Sequence, residues 1–208
     1  MLRPIFRVLL PASIWVAAIT LHAPAQAADT KGNFALRGIG SQSCQALLDE
    51  LQKAPGNAVV AASWVLGYMS ATNRYEPDTF DISPVTDAQS IFNVVIGLCK
   101  AHPTVRVQTI LSDTLAALGK ARIKTDSPMV DTKSGTTVAS VRTETLVLVQ
   151  KKLAERGLLK AKADGAYGAQ TEAAVKDFQK AEKLPITGVV DSATVIRLLI
   201  EQPPATKK

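Results

Sequence analysis

The chain has 208 residues, room for one large domain or two small ones, and its 47% hydrophobic and 20% charged residues are the balance of a folding sequence. A formal charge of +6 draws it weakly towards anionic polymers and surfaces. Aromatic residues make up only 5% and no long Lys/Arg run occurs, which argues against nucleic acid as a partner.

Residues 1–27 read as a secretory signal peptide. Arg3 and Arg7 precede an apolar stretch from Val8 to Leu21, and Ala25-Gln26-Ala27 forms the small-x-small cleavage pattern before Ala28. The apolar run is too short to cross a bilayer comfortably. The expectation is a periplasmic or wall-associated protein with no membrane span after cleavage, in a compartment where disulfides form.

Residues 28–122 read as a four-helix domain. Helices are expected over about Ser43–Lys53, Asn57–Asn73, Thr86–Ala101 and Thr104–Lys120. Pro55-Gly56 ends the first, and Ser41 and Ser43 are cap candidates for its start. Thr86 with Gln89 suggests a capping box for the third, which stops at His102-Pro103. Val107, Ile110, Leu111, Leu115 and Leu118 form the inward stripe of the fourth. Cys44 and Cys99 lie on apolar stripes of the first and third helices. In an oxidising compartment the simplest reading of that pair is one disulfide stapling the two helices. A metal site would need more ligands than His102 adds, and a redox pair is usually closer in sequence.

Cys44, the Trp64-x-x-Gly67-Tyr68 run and Cys99 followed by His102-Pro103 make this part loosely similar to the HdeA-like superfamily and to Rap-type periplasmic immunity proteins. The resemblance implies a small, stapled, non-enzymatic helical domain. Its roles there include acid-stress chaperoning and neutralisation of wall-degrading effectors. Glu76, Asp78, Asp81 and Asp87 cluster near one loop, as an acid-sensitive interface would need, although such clusters are more often solvated loops.

Residues 123–142 are rich in Ser, Thr, Asp and Lys without helical periodicity. They read as a flexible linker with a reach of roughly 25 Å.

Residues 143–201 read as three more helices. Leu146, Val149 and Leu153 line the first, which stops at Gly157. A loop, Asp164-Gly165-Ala166-Tyr167-Gly168, leads to a second helix with Thr171, Ala174, Val175 and Phe178 on one face. After Leu184-Pro185-Ile186-Thr187-Gly188, Asp191 caps a third helix carrying Val195 and Leu198. This order, with Gln150 and Gln179 at fixed places in it, resembles the peptidoglycan-binding domain-1 family. The resemblance implies a non-catalytic module that docks on the bacterial cell wall. Asp164, Gly165, Tyr167, Gly168, Thr171, Gln150 and Gln179 are the candidate ligand-binding residues. Tyr167 offers amphipathic surface, Asp164 and Thr171 polar atoms, and the amides after Gly165 and Gly168 a helix start that suits a carboxylate. Residues 202–208 read as a disordered tail.

No catalytic set, metal site or cofactor motif stands out. The expectation is therefore a mainly α protein of two small helical domains, which anchors to peptidoglycan and presents its first domain to a periplasmic protein partner. An acid-stress chaperone, an immunity-type protein, and a cell-wall hydrolase or its accessory subunit are the alternatives.

Overall fold

The computed structural model describes Asp29, Lys31 and residues 33–200. The expected signal peptide 1–27 and tail 202–208 lie outside the described residues. Seven α-helices and one two-stranded sheet make up the described fold, so the chain is mainly helical.

Helix α1 (Cys44–Lys53) begins where the Ser43 hydroxyl accepts from Ala46 N at 3.2 Å. Helix α2 (Ala58–Tyr75) follows Pro55-Gly56. Helix α3 (Ala88–Ala101) starts one residue later than the Thr86 capping box implied. Asp87 takes the cap, accepting from Gln89 N and Ser90 N at 3.1 Å each. The hydrogen bond from the Ser90 hydroxyl, with those two amides, holds its carboxyl below the usual range. Helix α4 (Val107–Leu118) also starts later than expected. The residues before it are held extended against the start of α1: Cys44 N donates to Val105 O at 2.8 Å and Val107 N to Gln42 O at 3.1 Å.

Cys44 and Cys99 form the disulfide, with both residues wholly buried. The expected inward stripe of α4 is buried throughout. Trp64 on α2 lies over Gly40, where an added Cβ would stand 2.2 Å from the indole ring. The indole N–H is spent on Arg37 O at 2.9 Å.

The stretch expected as a flexible linker is largely ordered. Strands β1 (Met129–Ser134) and β2 (Thr137–Arg142) pair antiparallel, with Met129 opposite Arg142 and Ser134 opposite Thr137. Gly135, at φ 58°, supplies the left-handed residue at the turn. Just upstream, Ile123 exchanges backbone hydrogen bonds with Asp81. Burial raises the Asp81 carboxyl above the usual range, against the hydrogen bonds from Ser83 N and Asn73 and the charge of Arg142. Glu144, on the other side, accepts from Lys124 N, Thr125 N and the Thr125 hydroxyl. A polar stretch without helical period became a hairpin because alternate residues find partners on both sides.

Those partners tie the first four helices to the last three, α5 (Thr143–Glu155), α6 (Ala169–Ala181) and α7 (Ser192–Leu199). The Thr86 hydroxyl donates to Ser140 O at 3.3 Å and the Thr145 hydroxyl to Pro84 O at 3.1 Å. On the other face, Val190 N donates to the Thr132 hydroxyl at 3.0 Å, and Thr132 in turn donates to Ala139 O at 2.9 Å. The described residues from Leu36 onward form one compact unit.

Thr132 is wholly buried, so Thr132→Val should strand the Val190 amide in the interior. Urea unfolding should register a loss of about 1–3 kcal/mol. An unchanged midpoint would mean that the hairpin is not a structural partner of the last three helices.

Candidate functional site

Two loop-to-helix joints of the C-terminal part repeat one device. At the first, Gln150 on α5 is 1% exposed. Its Oε1 accepts from Gly165 N at 2.8 Å, and its Nε2 donates to Ala166 O at 2.9 Å and to the Thr171 hydroxyl at 3.2 Å. At the second, Gln179 on α6 is fully buried. Its Oε1 accepts from Gly188 N at 2.9 Å, and its Nε2 faces the Thr187 and Thr194 hydroxyls and Val189 O at 2.8–3.1 Å. In each joint the glycine stands six residues before the threonine.

Both glycines have positive φ, 78° at Gly165 and 72° at Gly188. A Cβ at Gly165 would lie 2.6 Å from Thr143 Cγ2, and one at Gly188 2.6 Å from Ser134 Oγ. Backbone conformation and close approach therefore both demand glycine.

This geometry sorts the predicted site residues. Gln150, Thr171 and Gly165 are buried and bonded within the first joint, and Gln179 is buried and bonded within the second, so all four brace the loops. Asp191 backs the second joint: its carboxylate accepts from the Thr187 and Thr194 hydroxyls at 2.8 and 2.7 Å while capping α7.

Asp164, Tyr167 and Gly168 remain at the surface, Tyr167 half-buried. Asp164 Oδ1 accepts from Ala166 N at 2.9 Å, and that bond, with weaker contributions from Gln150 and Lys162, keeps its carboxyl below the usual range. The Tyr167 hydroxyl donates to Gly188 O, pinning the first loop to the second. Burial, helped by the Glu172 charge, pushes this phenol up to about 12, so it stays a neutral donor at any physiological pH. Gly168 is the N-cap residue of α6 and no side chain caps the helix. Gly168, Ala169 and Gln170 are all exposed. The start of α6 is thus at the surface, and its first amides, which have no acceptor within the helix, suit a carbonyl or carboxylate.

Residues 142–198 match the model of the family described as "Putative peptidoglycan binding domain". Over α5 to α7 the chain is therefore similar to a peptidoglycan-binding module. No curated protein and no solved structure matches the chain. The match takes in both glutamine joints and the exposed start of α6.

Two further concavities are present, and the first reaches onto α7. An apolar groove of about 610 Å³ runs between α3, α4 and α7, with Val94, Leu98, Ala117 and Ile196 in its walls. A more polar cleft of about 460 Å³ lies between α2 and the end of α4. Sequence reasoning missed the cleft because its members lie far apart in the chain, Tyr68 and Ser112 being 44 residues from each other. Among the described residues no helix is long and apolar enough to cross a membrane.

Proposed function

We propose that the protein is secreted, anchors to peptidoglycan through α5 to α7, and presents its first four helices as a binding surface rather than a catalytic one. The match over residues 142–198 carries this reading. Two features support it: a disulfide that suits an oxidising compartment, and an uncapped helix start flanked by an exposed carboxylate and a tyrosine.

In this reading the wall contact is made by Asp164, Tyr167, Gly168 and the open amides of α6. A stem-peptide carboxylate or an acetamido carbonyl accepts from those amides. Asp164 accepts from peptide or sugar donors, and the Tyr167 ring offers an amphipathic wall to the sugar face. The cap chemistry of Gln150 and Gln179 keeps these three in register.

The test is co-sedimentation of the full mature chain with purified sacculi at moderate salt. The chain should pellet while a carrier protein stays in solution. Gly168→Glu places a carboxylate at the helix start; a Cβ there meets nothing within 4 Å, so the fold should be retained. That variant should bind about tenfold more weakly, the worth of one charge-assisted hydrogen bond. A wild-type chain that stays in the supernatant would overturn the reading.

A further inference from the structure

We propose that the cleft between α2 and the end of α4 is a second binding site, for a short peptide that ends in a small apolar residue with a free carboxylate. The recognition chemistry follows from its walls. Tyr68 Oη and Ser112 Oγ are 3.0 Å apart, and Gln108 Nε2 lies 3.1 Å from the first and 2.7 Å from the second. Gln108 donates to both oxygens, and one hydroxyl hydrogen closes the triangle. The other hydroxyl hydrogen has no acceptor among the described residues and is left to the cleft. The wall that carries it is rigid, because Tyr68 packs on the Trp64 ring at 5.4 Å between centroids.

Two cations stand at the same cleft. Arg122 is fixed by donating from Nε to Asp78 O and from Nη1 to Gly119 O, each at 3.2 Å. The rest of its fork is unused among the described residues. Lys120 is exposed and has no ion-pair partner among them. A spare O–H donor, a pre-set guanidinium and a free ammonium lining one cleft suit an acceptor that is anionic and has more than one oxygen.

The floor is apolar and shallow. Ile82 and Leu115 are buried beneath it, and Gly119 lies so close to Ile82 that an added Cβ would stand 2.9 Å from Ile82 Cδ1. That floor suits a methyl group better than a long side chain. Glu76 also lines the cleft and suits a peptide ammonium or amide N–H. A carboxylate, a methyl group and an amine together describe an alanine-terminated peptide. Murein stem peptides present such ends, so the biological source rests on the wall-binding reading, whereas the site itself does not.

The test is an amide NMR titration of the full mature chain with D-alanyl-D-alanine. Saturable shifts should appear around Tyr68–Glu76 and Leu115–Arg122, with a Kd in roughly the millimolar range expected of so small a ligand. The C-terminal amide of the dipeptide should bind about tenfold more weakly, and so should the acid on Lys120→Glu, since each removes one charge-assisted contact. Lys120 is exposed, so this variant should keep its fold, and the amidated peptide tests the wild-type chain in any case. Absent shifts, or shifts indifferent to both changes, overturn the proposal. Sacculus pelleting that persists without dipeptide binding removes only the cleft. Dipeptide binding without pelleting removes the anchoring reading and leaves the cleft.

Discussion

Gln179→Leu should destabilise the chain by about 3 kcal/mol, read as a lower urea midpoint with an unchanged slope. Leucine has nearly the volume of glutamine, so no large cavity forms. The loss comes from polar groups left behind. Gly188 N and Val189 O lose their side-chain partner in the interior, and the Thr187 and Thr194 hydroxyls each lose a donor while keeping Asp191. Buried unpaired groups cost about 1–3 kcal/mol each, and relaxation of the loop recovers part of the sum. A midpoint within experimental error of the parent would mean that the Gln179 amide is dispensable. The Tyr167 hydroxyl donates to Gly188 O, so loosening the second loop also loosens the first. Sacculus binding should therefore weaken as well, even in the fraction that remains folded.

Removing the Cys44–Cys99 bridge should have a still larger effect. The bridge spans a sequence separation of 55. For a loop of that size the chain-entropy account gives about 4 kcal/mol of denatured-state constraint. Domains of this kind have about 5–15 kcal/mol in all, so the loss brings the fold towards its threshold. Unfolding the full chain with and without reductant measures it, and a Cys44→Ala/Cys99→Ala variant gives the value without thiol chemistry. A midpoint unmoved by reduction would show that α1 and α3 hold together through Leu47 and Val95 packing alone.

Much of the helical order was legible because helices bury a stripe and announce their ends. Ser43, Asp191, Gly157 and the inward residues of α4 stand where periodicity and cap chemistry put them. Thr86 was misread because two adjacent residues both cap well, and the carboxylate of Asp87 reached two amides while Thr86 had Ser140 to bind. The hairpin was missed for a different reason. A search for three-and-four spacing is blind to Val130, Thr132 and Ser134, whose period is two, and Ser134-Gly135 was a turn signal left unused.

At the candidate site, polar type alone does not tell a ligand group from a loop brace. Gln150 and Gln179 read as candidate ligand groups, and the structure shows each bonded to the backbone of a glycine loop. One signal was available: the same Gln, Gly and Thr occur twice, with the last two at the same interval. Duplication of a polar triplet inside one small module points to architecture. A recognition feature would be needed only once.

The ordered hairpin bears on how this molecule can be taken apart. A boundary drawn just before α5 would discard Thr132 and Ser134, which bond Val190 and Glu172 at 3.0 and 2.7 Å. A fragment cut there should be a poorer wall ligand through lost folding alone. Limited digestion should meet little slack at this junction, and the shortest sound excision begins ahead of Met129.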